Sequence, residues 1–427
     1  MTTPQILFYV IVAILVLNYL AEQYLEYLNA RYRSASLPEE VKGIYLEDEY
    51  KRSQRYKADN RKLSFISSTF NLILILGFLL LEGFALVDGW AREITSHRLL
   101  VPPVFFGLLL LGLDLINTPF ALYDTFVIEE RYGFNKTTIK TFILDKIKGY
   151  ILSALMGGGL LILVVWFYHL TASAFWIYAW GLVTLFTLFL TMFYTHWIVP
   201  LFNKLEPLEE GDLKSKIVQL CRKVGFSLRD VFVMDGSKRS TKANAFFSGL
   251  GKKKRIVLFD TLINELGQQE VLSVLAHEIG HYRKRHTLIN LLISIAHTGL
   301  ILYVLSLLVN NPVLSKALGV NEPSFHIALV AFALLYSPIS MVLGIGMNAL
   351  SRKNEYQADG FAARQGLSDA LVEALKKLSV KNLSNLTPHP AYVRVHYSHP
   401  PLLERVQNLR QHQEPVQMGM NRTRQSG

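Results

Sequence analysis

Apolar residues in this chain gather into long unbroken blocks, and the polar stretches between them carry most of the charge. Seven blocks approach the roughly 20 residues that a helix needs to cross the hydrocarbon core of a bilayer. They cover residues 5–20, 65–87, 99–122, 150–169, 174–199, 287–309 and 326–350. The first lacks a basic leader and a small-residue cleavage site, so it reads as a retained anchor. Residues 39–62 alternate charges with Tyr and predict a solvated helix at the membrane surface. Residues 203–286 form the largest block outside the membrane. Within it, 213–224 repeats at helical spacing and 231–234 is a short β-rich run. Residues 244–248 and 255–259, joined by Gly249-Leu-Gly-Lys-Lys-Lys, predict a hairpin. Asp260-Thr261 reads as the N-terminal cap of the helix that follows. From Gln411 onward no apolar period remains, which predicts a disordered tail over 411–427.

Composition supports a polytopic membrane protein: of 427 residues, 51% are hydrophobic, too many for an ordinary soluble enzyme. Orientation follows from Lys and Arg. The segment after the first block holds Arg31, Arg33, Lys42, Lys51, Arg52, Arg55, Lys57, Arg61 and Lys62, whereas the loop between the last two blocks holds only Lys316. The positive-inside rule therefore puts the N-terminus outside and residues 123–149, 200–286 and 351–427 in the cytoplasm. Arg92 and Arg98, in a short external loop, dissent. The net charge of +11 is spread over juxtamembrane loops, so it points to anionic lipid and topology, with no nucleic-acid partner. A single cysteine, Cys221, excludes an internal disulfide and a cysteine-based zinc site.

The chemistry lies in His277-Glu278-Ile279-Gly280-His281. On a helix, residues four apart share a face, so two imidazoles can grip one Zn²⁺ while Glu278 serves as general base. The apolar periodicity of residues 270–276 makes that helix credible. A catalytic zinc wants a third protein ligand, and the best candidate is Glu355 in Asn354-Glu-Tyr-Gln-Ala-Asp359. Asp359, four residues on, is placed to accept the free N–H of a ligand histidine. The plain alternative is a solvated polar face shared with Arg352 and Lys353. His399 is a candidate oxyanion donor, with His389 and His396 as rivals. Ionisable and amide residues at depth (Asp114, Asn117, His196, His297 and Asn348) fit either a watery interior or helix–helix hydrogen bonding.

The pentapeptide with its distal E-x-x-x-D resembles the gluzincin metallopeptidases of the M48 group. Three further motifs resemble its integral-membrane branch, the CAAX prenyl protease 1 (Ste24-type) family: residues 126–137, residues 240–246 with 254–261, and residues 396–405. Thr241-Lys242 departs from the more polar pair usual there. The resemblance implies an all-α polytopic membrane protein whose seven transmembrane helices enclose a chamber. A cytoplasmic-side zinc protease unit of helices and a small β-hairpin would complete it. It implies one Zn²⁺ per chain on His277, His281 and Glu355, with Glu278 as base. Asp359 supports the ligands or donates a proton, and His399 and Arg405 face the metal. Asn244, with Ala245 and Phe246, lies on an edge strand that holds the substrate backbone. The units expected are 1–199 (spans one to five), 200–286 (catalytic unit), 287–350 (spans six and seven) and 351–410 (C-terminal catalytic segment). The implied activity is cleavage after an S-prenylated cysteine, releasing a tripeptide from peptide or protein substrates that are lipidated or membrane-associated. A general quality-control protease of membrane proteins is the alternative, and a channel or transporter with an incidental motif is a distant third. The compact length favours a bacterial inner membrane; in a eukaryote the endoplasmic reticulum is expected.

Overall fold

The structure, a computed structural model, describes residues 1–32, 46–228, 230–248 and 255–412. Arg33, Lys42, residues 39–45 of the surface helix, the turn at 249–254 and residues 413–427 lie outside the described residues.

The chain opens with α1 (Thr3–Tyr32) and α2 (Glu47–Leu80), then passes through the short α3 (Gly83–Ile94) to α4 (Val101–Tyr123). Helices α5 (Ile139–Leu152), α6 (Gly159–Thr171), α7 (Phe175–Phe193) and α8 (Val199–Phe202) follow almost without interruption. Six helices are long and apolar enough to cross a membrane, one of them 64 residues from Ile139 to Phe202. That one breaks at Ala172, whose φ is 46°, so the described residues contain seven apolar rods where seven blocks were expected. The apolar windows of α1, α2 and α4 are each only 6% buried within the molecule. So much outward apolar surface needs lipid to cover it.

Boundaries differ from the periodicity in two places. The surface helix and the second span are one continuous helix, α2, whose acidic first turn (Glu47, Asp48, Glu49) complements the helix dipole. The block at 65–87 ends early, because Glu82 adopts a left-handed φ of 53° and turns the chain into α3.

The unit outside the membrane begins with strand β1 (Leu205–Pro207), helix α9 (Asp212–Lys223) and strands β2 (Asp230–Met234), β3 (Ala245–Ser248) and β4 (Arg255–Phe259). The sheet order is β1-β2-β4-β3. The expected hairpin forms, with Ala245 opposite Leu258 and Ser248 opposite Arg255. The parallel pairing of β2 with β4 is an addition. Next come α10 (Asp260–Glu265) and α11 (Gln268–Arg283). Asp260 is the first residue of α10, not its cap; its carboxylate accepts from the backbone N of Ser237 at 2.9 Å.

The remaining helices are α12 (His286–Leu308), α13 (Pro312–Ala317), α14 (Phe325–Arg364), α15 (Ser368–Lys381), α16 (Pro390–His396) and α17 (Leu402–Gln411). Gln411 thus closes a helix instead of opening the tail. One apolar cluster joins Ile217, Ile256, Leu258, Leu262, Leu275, Ile279, Leu371 and Leu409. At about 1.5–3 kcal/mol for each fully buried aliphatic side chain, this cluster fixes α11 against the sheet and the C-terminal helices.

Candidate active site

Helix α11 projects His277 and His281 from one face, with their Nε2 atoms 3.1 Å apart. The partner comes from α14, which continues for 40 residues past its apolar stretch. Glu355 Oε1 lies 3.2 Å from His281 Nε2, and Oε2 lies 3.4 Å from His277 Nε2. Ligand bonds of 2.0–2.1 Å around tetrahedral zinc give a donor–donor edge of about 3.3 Å, so the three donors fit that ion. Glu355 Oε2 is buried and accepts no hydrogen bond, a costly state unless a cation meets it.

Gly280 makes the approach of the two helices possible. A Cβ there would sit 3.0 Å from Ala358 Cα and 3.0 Å from Phe361 Cβ. Nothing in the periodicity singled out this glycine.

The ligands are held from behind. His277 Nδ1 is 2.8 Å from Asp359 Oδ1. Arg405 grips the same carboxylate twice, Nη2 to Oδ1 at 2.6 Å and Nε to Oδ2 at 2.9 Å, and its Nη1 is 3.5 Å from Glu355 Oε2. Burial and the Arg405 guanidinium disfavour a proton on His277, but the facing carboxylates of Asp359 and Glu355 outweigh them and carry the imidazole up to about 9. Two buried carboxylates facing one guanidinium make an anionic pocket, which suits a dication. The solvated-face alternative fails: Asp359 is 0% exposed and Glu355 3%. Arg352 is engaged too, donating to the Val393 and Tyr397 carbonyls at 3.0 and 2.6 Å, which tethers the segment carrying His399.

His281 has its own support, which sequence reading missed. Arg285, at φ 60°, breaks the helix after α11, and His286 returns to place Nδ1 3.1 Å from His281 Nδ1. His286 Nε2 is 3.2 Å from Gln357 Oε1. Because that amide oxygen only accepts, His286 donates to it from Nε2 and accepts at Nδ1 from His281. The lone pair of His281 Nε2 is left for the metal.

Among the three candidate histidines, His399 meets the cluster, with Nδ1 3.0 Å from Glu355 Oε2 and its side chain 65% exposed. His389 accepts from Ala391 N at 3.1 Å to cap α16, and His396 faces Glu22 at 3.2 Å. Burial works against the charge of Arg405, but Asp359 and Glu355 outweigh it and hold the guanidinium above its ordinary value, and Glu278, half-buried beside His277, adds to their field.

Asn244 is exposed at the start of the edge strand, its side-chain oxygen accepting from Ala245 N at 2.8 Å. Ala245 packs on the cluster that includes Ala276 and Ile279 of α11, and the Phe246 ring lies edge-on to Phe259. Two residues upstream, Lys242 Nζ donates to Glu129 Oε2 at 2.7 Å and to Tyr56 OH at 3.1 Å, and lies 4.5 Å from the Phe134 ring centroid. The motif at 126–137 thus clamps the approach to the edge strand. Four of the five deep polar residues find partners as well. Asn117 exchanges amide bonds with Asn71, His297 meets Tyr336 at 2.7 Å, and Asn348 donates to the Val395 carbonyl at 2.6 Å. Asp114 accepts from Lys146 at 2.5 Å.

Two family descriptions match consecutive parts of the chain: "CAAX prenyl protease N-terminal, five membrane helices" over residues 26–204, and peptidase family M48 over residues 207–413. A CAAX prenyl protease 1 homolog from Oryza sativa subsp. japonica is 34% identical, the match covering 93% of this chain and 96% of that protein. CAAX prenyl protease 1 from Saccharomyces cerevisiae is 34% identical, covering 91% and 92%. The crystal structure of S. mikatae Ste24p superposes with a TM-score of 0.90 at 34% identity, covering 94% of this chain and 98% of that one. The chain belongs to the M48 metallopeptidases, an integral-membrane metalloendopeptidase of the CAAX prenyl protease 1 family.

Proposed function

We propose that this protein is a zinc endopeptidase that cleaves C-terminal to an S-prenylated cysteine and releases the last three residues of a CAAX-type chain. The observation that carries this reading is the convergence of His277, His281 and Glu355 from two helices at the end of a membrane-length rod, with ligand atoms within 4.8 Å of one another. His277, His281 and Glu355 would hold one zinc, which when bound supplies a Lewis acid that polarises a carbonyl and acidifies water. Glu278 takes the proton of the attacking water and returns it to the leaving amine. Asp359 and Arg405 lock His277 in one tautomer, and His286 does the same for His281. The exposed His399 donates to the oxyanion that develops on the peptide carbonyl. Strand β3, the edge of the sheet among the described residues, offers Asn244, Ala245 and Phe246 to an extended peptide.

The relatives' names supply the substrate class, and the membrane setting supplies a reason for it. An isoprenoid partitions towards lipid while the residues after the cysteine reach the metal. The ion pair of Asp114 with Lys146 lies on membrane-length helices with both side chains partly exposed. Such a pair is expensive against lipid, which supports a polar, water-accessible chamber between the helices. The positive-inside pattern supports a cytoplasmic catalytic side, in a bacterial inner membrane or the endoplasmic reticulum.

Cleavage rates of one peptide with and without a farnesyl group test the reading. The farnesylated form should have kcat/KM at least about tenfold higher. Glu278→Gln should abolish its cleavage while keeping the fold. Equal rates on both peptides would instead support the quality-control role, because main-chain pairing at β3 tolerates varied side chains.

A further inference from the structure

The His399 side chain is 65% exposed, yet the backbone on either side of it is held. Upstream, α16 is bonded to two membrane-length helices. Along α1, polar side chains at helical spacing meet α16 and its cap in antiparallel order. Asn29 Oδ1 accepts from the His389 backbone N at 3.1 Å, Glu26 Oε1 accepts from Tyr392 OH at 2.8 Å, and Glu22 Oε2 lies 3.2 Å from His396 Nε2. Residues three and four apart share a helix face, so Glu22, Glu26 and Asn29 form one row on α1.

Helix α14 grips the far end of α16. Arg352 Nη1 donates to the carbonyls of Val393, Arg394 and Tyr397 at 3.0, 3.4 and 2.6 Å, and Asn348 Nδ2 donates to that of Val395 at 2.6 Å. The last carbonyls of a helix have no partner within it, so these bonds cap α16 as well as hold it. Only Ser398 separates the gripped Tyr397 from His399, and the buried Pro400 and Pro401 follow, each with φ confined to about −65°. Asn348, Arg352, Glu355 and Asp359 succeed one another along α14 at steps that keep them on one face. The helix that supplies the carboxylate ligand therefore also sets where the His399 imidazole stands relative to it.

We infer that Arg352 and Asn348 are positioning residues for the hydrolytic step: with α1 as a second support, they aim His399 at the bound carbonyl without touching the substrate. This rests on the assignment of His399 as oxyanion donor made above. So exposed a ring has little packing of its own to aim it, and a misplacement of about 1 Å can cost about 100-fold in rate. The first membrane helix thereby becomes part of the catalytic device, through the bond of Glu26 to Tyr392.

The test is a double-mutant cycle on the zinc-loaded protein in detergent, with a farnesylated CAAX-type peptide as substrate. Arg352→Gln should lower kcat about 10–100-fold, hold KM within about twofold and keep its zinc. Arg352→Lys, which retains a cation for the same carbonyls, should recover part of the loss. Tyr392→Phe, which removes only the hydroxyl bonded to Glu26, should lower kcat about two- to fivefold. In a His399→Ala background each substitution should change kcat by less than about twofold, because the group it aims is gone. Hydrogen exchange at the amides of 395–399 should quicken in Arg352→Gln while that of α11 stays unchanged. Losses that persist undiminished in His399→Ala, or a raised KM at unchanged kcat, overturn the inference. Unchanged exchange overturns the clamp whether or not a peptide is cleaved. Full-rate cleavage by His399→Ala would instead overturn the oxyanion assignment on which the inference rests.

Discussion

His286 shows how a side chain with no recognisable motif can govern one that has one. The two ligand histidines were legible because i,i+4 spacing needs only a helix. His286 lies five residues past His281, a spacing that an unbroken helix would carry round to another face. Only the left-handed Arg285 returns it to the cluster. Gly280 was unreadable for a related reason: its neighbour Ala358 is 78 positions away in sequence and adjacent only after folding. Removing the support behind a ligand histidine typically lowers metal affinity by about 10–100-fold. His286→Ala should therefore weaken zinc binding by that factor in a chelator competition, without loss of helix content. Unchanged affinity would mean that His281 is oriented by something else.

Among the elements, the hairpin of β3 and β4 and the helix bearing the metal motif were legible, because both rest on local periodicity and turn residues. The parallel pairing of β2 with β4 was not, since it joins strands across an intervening strand. The clamp on the edge strand also depends on distant parts of the chain, Tyr56, Glu129 and Lys242. Burial opposes the Lys242 charge, but its bonds to Glu129 and Tyr56 outweigh burial and hold the ammonium above its ordinary value. With the folded pKa raised, the stabilisation is fully present below the unfolded value near 10.4 and is lost only as pH rises beyond it. Lys242→Met should lower the melting temperature by the same amount at pH 6.5 and pH 8.5. It should also raise KM by about three- to tenfold while kcat stays within about twofold, as expected for a residue that positions the binding strand. A fall in kcat at unchanged KM would place Lys242 in the chemistry instead.

For the whole molecule, hydropathy gave the number of rods, and charge proposes a direction across the bilayer. The break at Ala172 falls in the gap between the blocks at 150–169 and 174–199, whereas the one at Glu82 escaped, because a glutamate does not announce a left-handed backbone. Cys221 is convenient for testing orientation: it is buried, and burial pushes its thiol up to about 11, so it should resist alkylation in the folded protein. Lys316→Cys and Lys140→Cys, in sealed vesicles of known sidedness, should label from opposite faces with an impermeant maleimide. Labelling of both from the same face would overturn the topology.

Zinc content, measured by elemental analysis of purified protein beside two single variants, tests the central claim most directly. The unsubstituted protein should carry about one zinc per chain, Glu355→Ala should lose it, and Glu278→Gln should keep it while losing cleavage. Full zinc occupancy in Glu355→Ala, or a cleaving protein free of zinc, would contradict the account.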